Sequence, residues 1–196
     1  MIPEPFTLGE LHEYLQQQAS GTVYPPGRRV QVALATYRIV QDHHAAIAVL
    51  VERGLYASAF ALSRALYEAT VKGLWLSYCA DESRAEKYAR GQELPALGEL
   101  IEDLSRAELL PLVQAHLGNV KRRYWKALSS FAHAGHSQVQ RWLSPTGVEP
   151  AYSEAEVREV IDFTAFFSVV AMLERVRLGS NESAVAAISS VLPSTE

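Results

Sequence analysis

The stretch Leu55–Ala80, LYASAFALSRALYEATVKGLWLSYCA, determines the predicted fold because it is apolar over the length of a helix yet carries three full charges. These charges are Arg64, Glu68 and Lys72, each four residues after the one before. On a helix this spacing moves each charge by only about 40°, so the three form one polar stripe. A helix that is apolar around the rest of its circumference is largely buried. The stretch therefore predicts the central helix of the fold.

Two interpretations of the polar stripe remain open from the sequence. In the first, the stripe is exposed and Glu68 pairs with both cations, which stabilises the helix by about a few tenths of a kcal/mol per pair. In the second, Arg64 and Glu68 lie in a partly buried cleft, where the guanidinium binds an anion and the carboxylate orients it.

Composition limits the class of protein. The 196 residues are 48% apolar and 20% charged, which is typical of a globular chain that folds as one domain, residues 1–196. A net charge of -4 argues against tight nonspecific binding to nucleic acid, and we expect no DNA partner. Cys79 is the single cysteine, so no internal disulfide can form. Without a signal-peptide pattern or a long uncharged run, we expect a cytoplasmic protein with no membrane partner.

Helical periodicity and helix-ending residues divide the chain into helices and two main loops, 20–27 and 144–152. Thr7 with Glu10 and Ser153 with Glu156 have the spacing of capping boxes. No segment alternates apolar and polar residues as a strand does. The sequence predicts an all-α, up-and-down bundle of about four long helices with additional short ones. The expected helices are 7–19, 28–53, 55–80, 81–88, 94–104, 108–117, 119–134, 137–143, 153–179 and 182–191.

The late helix 119–134 carries the most informative polar cluster. Arg122 and Lys126 lie within about 20° of His133 on an ideal helix, opposite the apolar side, so His133 is not expected in the core. Ser129 and Ser130 flank this face, and His136 joins it if the helix continues through Gly135. Cations, hydroxyls and imidazoles in one stripe suit a phosphate or another anion. We therefore predict an anion-binding group and keep open an ordinary solvated face as the alternative; the group comprises Arg122, Lys126 and His136.

Other site classes are less well supported by the sequence. A metal site built from the late histidines would need at least three convergent ligands, and no Glu-x-x-His occurs, so we expect no metal. Arg38 and His43 have the Arg-x4-His spacing of HEPN ribonucleases but diverge by about 140° on a helix, where Arg38 is better placed to pair with Asp42. His43 and His44 are expected beside the apolar face with local hydrogen bonds. No glycine loop or dinucleotide motif is present, and we expect no cofactor.

Two stretches carry a resemblance to known proteins. The segment from His43 to Ala80 and the later SSFAHAGHSQVQRW together resemble a family of uncharacterised bacterial proteins over most of the chain. Its marks are Arg64 and Glu68 in SRALYEA, the GLWL pattern, and Ser130 with His133 in SSFAHAGH. The sequence also resembles, distantly, HEPN-like helical bundles. That resemblance implies an RNA-cutting protein of the toxin or phage-defence type and a homodimer. The late helix, however, has Ser-x2-His instead of Arg-x4-His.

Two functions follow as hypotheses. In the first, Arg64, Glu68, Ser130 and His133 converge between the central and late helices and act on RNA or another phosphate-containing ligand. His133 is then the general acid or base, Arg64 stabilises charge on the phosphate, and Glu68 holds Arg64. In the second, the protein is a noncatalytic, dimeric binding or regulatory module, and the same residues form a structural polar network.

Overall fold

The computed structural model describes residues 6–192, and it is an all-α structure as the sequence predicts. A five-residue π-helix, Val120–Tyr124, joins α6 to α7, and a two-residue hairpin precedes α9. The hairpin strands are β1 (Leu143–Ser144) and β2 (Gly147–Val148). The helices are α1 (Leu8–Gln18), α2 (Arg28–Glu52), α3 (Tyr56–Tyr78), α4 (Glu82–Ala89), α5 (Leu97–Leu104), α6 (Pro111–Asn119), α7 (Trp125–Ala132), α8 (His136–Gln140), α9 (Glu154–Leu178) and α10 (Glu182–Ser189).

The centre of the fold is the pair α2 and α3. Only three residues separate these helices, and Gly54 between them has a φ of 69°, a left-handed conformation that glycine adopts without strain. The Leu55 N–H donates back to the Leu50 carbonyl at 2.8 Å, which closes the turn. A connection this short makes the two helices antiparallel, as the sequence predicts.

Helix α9 packs against both members of the central pair and completes the core. Its residues 164–176 are all buried, although the helix begins with polar side chains. Helices α1 and α10 pack on α9, while α5 packs on α3 and α4 on α2. The largest fully buried side chains come from α1, α2, α3, α5, α6 and α9, and they include Leu11, Leu15, Tyr37, Ile47, Leu66, Tyr67, Leu104, Leu117 and Phe167.

The fourth long element is the segment α6–π–α7, which packs on α3 through α7. Pro111 occupies the start of α6, where its missing N–H costs no helical hydrogen bond, as its position in the sequence indicates. The prediction of a regular helix over 119–134 is wrong in two respects. Residues 120–124 are π-helical, and α7 ends at Ala132 because Ala134 adopts a left-handed φ of 49°.

Both predicted capping boxes are confirmed. The Thr7 hydroxyl accepts from the Glu10 N–H, and the Glu10 carboxylate accepts from the Thr7 N–H; Ser153 and Glu156 make the same reciprocal pair. The loop predicted over 144–152 contains part of the short hairpin, in which Leu143 pairs with Val148. None of the described helices is long and apolar enough to cross a bilayer.

His44 of α2 differs from expectation. It is fully buried, and neither ring nitrogen forms a well-aligned hydrogen bond with a described residue, so the prediction of local hydrogen bonds is wrong. Its ring contacts the His12 ring of α1 edge to face, with centroids 5.2 Å apart. Burial, followed by the nearby His12, lowers the pKa of His44 to about 3. The backbone of Leu8 in α1 is close enough to oppose the lowering of this pKa. Arg38 also departs from prediction, because it forms no ion pair with Asp42 in the described part of the chain.

Candidate functional site

Arg64 of α3 and His133 at the end of α7 lie in direct contact. Arg64 Nη1 is 2.7 Å from His133 Nε2, although 69 residues separate them in the chain. Helices α3 and α7 pack together near this point through aromatic contacts, including an edge-to-face pair between Phe60 and Phe131 with centroids 4.9 Å apart. The polar residues of the central and late helices therefore meet, as the sequence-based hypothesis requires.

The Arg64 guanidinium is held on two further sides. Its Nε–H donates to Glu68 Oε1 at 2.6 Å, one helical turn along α3. Its Cζ lies 4.6 Å from the centroid of the Trp125 ring, in a cation–π geometry. The Arg64 and Glu68 side chains are only 22% and 28% exposed, which favours the partly buried cleft over the exposed stripe. Lys72 makes no ion pair with Glu68 within residues 6–192, so the stripe is not a continuous chain of pairs.

The hydrogen bond defines the protonation of His133. Arg64 carries only donors, so Nε2 must accept and the ring must be neutral, with its proton on Nδ1. His133 is exposed, which confirms that it is not a core histidine. Two of the five N–H donors of Arg64 form hydrogen bonds with Glu68 and His133. The other three have no partner in the described structure and are free to bind an anion.

Ser130 has a structural contact in this arrangement. Its Oγ accepts from the Ser137 N–H at 2.8 Å and so fixes the turn between α7 and α8. The Gly135 N–H donates to the Ser130 carbonyl at 2.7 Å. A Cβ at Gly135 would lie 2.7 Å from Ser130 Oγ and 3.1 Å from its Cα, so the turn requires glycine. Ser130 thus supports the position of His133, the residue that follows the last one of α7.

The residues of the predicted anion-binding group lie on three consecutive elements, the π-helix, α7 and α8. Arg122 lies on the π-helix, and its Nη2 donates to Asn119 Oδ1 at 2.6 Å, beside Gly118. The π-helix adds about one residue to a turn, so residues before it are rotated relative to α7. His136 begins α8 after the break at Ala134, so it does not continue the face of His133. Lys126 is exposed on α7 and makes no ion pair with the described residues.

Trp125 is a residue of the site that the sequence did not identify. It begins α7 and precedes Lys126, and its ring provides the flat surface on which Arg64 rests. A tryptophan beside a polar stripe is a weak signal on its own, because stacking on an arginine depends on how two distant helices cross. The sequence signal for Trp125 was limited to its place next to Lys126 on the late helix, combined with Arg64 in the polar stripe of the central helix.

Metal and thiol chemistry receive no structural support. Within residues 6–192, no three side chains of His, Cys, Asp and Glu form a group that could hold a metal ion. Burial raises the pKa of the Cys79 thiol, which reduces the thiolate that a nucleophile requires. Burial also raises the pKa of the Glu174 carboxyl, but Tyr78 and Arg177 both donate hydrogen bonds to it. This last cluster, away from the Arg64 contact, is a satisfied internal network.

A family model matches most of the chain. Residues 37–194 match DUF6988, a family of unknown function, and this range includes Arg64, Glu68, Trp125 and His133. Helix α1 precedes the matched range. No curated protein and no solved structure matches significantly. The chain belongs to the DUF6988 family of unknown function.

Proposed function

We propose that the protein is a ribonuclease of distantly HEPN-like type that acts on cytoplasmic RNA through Arg64, Glu68 and His133. The observation that carries this proposal is the 2.7 Å contact between Arg64 Nη1 and His133 Nε2, with Glu68 orienting the guanidinium. A neutral imidazole beside a guanidinium supplies a proton acceptor and a fixed positive charge, the two groups that cleavage of a phosphodiester needs.

The chemistry follows from the atoms in contact. A phosphate oxygen replaces His133 as the partner of Arg64 Nη1, which frees the Nε2 lone pair. His133 then takes the proton of the ribose 2′-hydroxyl as that oxygen bonds to phosphorus, and it returns the proton to the 5′ oxygen as the P–O5′ bond breaks. Arg64 stabilises the charge on the phosphorus-bound oxygens, and Glu68 keeps Arg64 in place. The products are a 2′,3′-cyclic phosphate and a 5′-hydroxyl.

The proposal is tested by cleavage of single-stranded RNA with purified protein. We expect the His133→Ala variant to lose about 100- to 10,000-fold in rate, the usual contribution of a general acid or base. DNA of the same sequence should remain intact, because it lacks the attacking 2′-hydroxyl. Lys87→Ala removes an exposed side chain of α4 that belongs to no proposed site; it is the matched control and should cleave normally. Equal rates for wild type and His133→Ala, or cleavage by neither, contradict the ribonuclease.

A noncatalytic binding or regulatory module is the second candidate. It is favoured by the engagement of Ser130 in the α7–α8 turn and by the contacts that hold Arg64 on three sides. If the network is purely structural, Arg64→Ala lowers the melting temperature and inorganic phosphate stabilises neither protein. If the site binds anions, phosphate raises the melting temperature of the wild type and this increment disappears in Arg64→Ala.

Both candidates include a homodimer, which the HEPN resemblance implies. Exposed apolar side chains around the hairpin offer a surface for a second copy: Val139, Trp142, Leu143 and Val148. Light scattering after size exclusion tests the assembly, and Leu143→Asp should convert a dimer formed through this surface to a monomer.

A further inference from the structure

A second cleft lies between α9 and the segment α6–π–α7. It encloses about 490 Å³, within the range of small-molecule sites. Six of the eighteen residues that line it are phenylalanine or tyrosine: Phe60, Tyr124, Phe131, Phe163, Phe166 and Phe167. Phe163, Phe166 and Phe167 come from α9. None of the residues that line the cleft takes part in the contact between Arg64 and His133. The predicted apolar side of the late helix faces this opening and is not fully packed.

His116 gives the aromatic wall a polar atom. Its ring stacks on Phe166 with centroids 4.1 Å apart and an angle of 24° between the planes. Its Nδ1 lies 2.8 Å from the Leu112 carbonyl, which can only accept, so Nδ1 carries the proton. Nε2 of the neutral tautomer is then an acceptor, and no other described residue donates to it. The cleft thus contains a flat surface with an unused acceptor at its edge.

The mouth of the cleft carries both a donor and an acceptor. Arg123 and Glu159 are exposed, line the cleft and form no ion pair with another described residue. The other charged side chains at the mouth are engaged, because Glu156 pairs with Arg141 and Asp162 with Arg158. A ligand therefore meets one guanidinium and one carboxylate outside these pairs.

The π-helix contributes directly to this wall. Val120, Arg123 and Tyr124 all line the cleft, and they lie within the five-residue π segment. A π-helix widens the turn and rotates these side chains relative to a regular helix, an irregularity frequently found at functional sites. Here it places Arg123 at the mouth while Tyr124 remains half exposed, at 49%.

We propose that this cleft binds one unstacked nucleobase, with guanine the best fit. A base is planar and stacks on aromatic rings, and its edge needs donors and acceptors together. Guanine presents O6 and N7 as acceptors for Arg123, and its N1–H and N2 amino group as donors for Glu159 or His116 Nε2. This inference rests on the proposed function and specifies its substrate as single-stranded RNA. Phe60 of the cleft lies one helical turn before Arg64, so base and phosphate would bind to neighbouring turns of α3.

Binding of free guanosine tests the cleft without the phosphate site. Ala127 lines the cleft, and Ala127→Trp should fill it and weaken guanosine binding at least about tenfold in calorimetry, in line with the loss of base stacking. His116→Phe keeps the stacked ring but removes the acceptor, and it should weaken guanosine more than uridine. Val49→Trp adds the same side chain at an exposed position of α2, outside the cleft, and should leave binding unchanged. Melting curves show that each variant is folded.

The outcomes separate the base site from the ribonuclease. Guanosine binding that survives in Arg64→Ala and His133→Ala but is lost in Ala127→Trp supports the base site, whether or not the wild type cleaves RNA. Absence of guanosine binding to the wild type, or equal binding to Ala127→Trp, overturns it. Indole has a flat ring without the edge groups of guanine, so equal affinity for indole and guanosine would show an unselective apolar slot and also overturn the proposal. RNA cleavage without guanosine binding supports the ribonuclease and overturns the base site.

Discussion

Glu68 acts on Arg64 and not on a substrate. Its carboxylate accepts the Nε–H at 2.6 Å, which fixes the direction of the other guanidinium donors. Because the pair is partly exposed and spaced i, i+4, its effect on folding stability is small, about 0.3–0.5 kcal/mol. Its effect on a reaction is larger, since a small displacement of Arg64 changes its contact with the phosphate.

Substitution of Glu68 therefore separates positioning from stability. We expect Glu68→Ala to lower the RNA cleavage rate by about 10- to 100-fold, mainly in kcat, while the melting temperature changes little. Glu68→Gln keeps an oxygen that can accept from Arg64 Nε and should recover part of the rate. Steady-state kinetics and melting curves on both variants provide the measurement. A large drop in melting temperature with an unchanged rate would assign Glu68 to the fold instead.

The sequence predicted the pair Arg64 and Glu68 because their contact is local. Arg64 and Glu68 are four apart on a helix, so their pairing is a local property that spacing reveals. The contact between Arg64 and His133 was a hypothesis about two helices, and its geometry depends on how α3 and α7 cross. Trp125 could not be assigned, because a stack on Arg64 has no local signature.

Among the elements, the two helix starts with capping boxes were predictable, and the regularity of the late helix was not. A capping box closes within four residues, and Thr7–Glu10 and Ser153–Glu156 both form as their spacing indicates. A 3.6-residue period cannot reveal the π-helix Val120–Tyr124, because a pattern read at that period assumes a regular helix. For this reason the sequence places Arg122 on one regular helix with His133, whereas the structure places it on the π-helix.

The contact between Gly73 of α3 and Tyr37 of α2 gives a prediction about packing. A Cβ at Gly73 would lie 2.5 Å from Tyr37 Cε1, and Tyr37 is fully buried with its hydroxyl 3.0 Å from Ser77 Oγ. The ring has no room to move, so Gly73→Ala should lower the free energy of unfolding by about 1–3 kcal/mol despite the better helix propensity of alanine. Urea denaturation measures the change.

Gly9 of α1 is the matched control for this substitution. A Cβ there would meet no atom within 4 Å, so Gly9→Ala should be neutral or stabilising by up to about 1 kcal/mol. If Gly73→Ala is as well tolerated as Gly9→Ala, the helices can separate at little cost and the close approach does not determine their packing.

The whole molecule has a polar seam inside its core, between α1, α2 and α9. Gln41 donates to the Ser168 carbonyl at 3.0 Å, but the hydroxyls of Thr164 and Ser168 and both nitrogens of His44 form no well-aligned hydrogen bond within residues 6–192. Hydrophobic patterning places these residues in the interior without showing which polar atoms find partners, because that depends on the packing of three helices. The sequence consequently predicted the bundle but not its unsatisfied interior.

This seam makes the stability of the bundle depend on pH. Burial lowers the pKa of His44 from 6.5 to about 3, and burial also lowers the pKa of His12, so the folded state binds fewer protons than the unfolded chain in this range. The stability due to neutral His44 is fully present above pH 6.5 and is lost as pH falls toward 3, at up to about 1.4 kcal/mol per pH unit. The raised pKa of Glu174 has the opposite sign: its contribution is present below the usual range of a glutamate and is lost as pH rises.

Replacing His44 with an apolar residue should remove most of this acid sensitivity. We expect His44→Leu to flatten the free energy of unfolding between pH 6.5 and 3 and to change it little at pH 7, because neither ring nitrogen makes a well-aligned hydrogen bond that the change would break. Ile47→Val, one turn along α2 and equally buried, should lower stability by about 0.5–1.5 kcal/mol at every pH and keep the wild-type slope. Urea denaturation across this pH range gives both curves. If the free energy of unfolding of His44→Leu falls with pH as steeply as that of the wild type, acid unfolds the bundle by protonating other groups. His12 is then the first residue to replace.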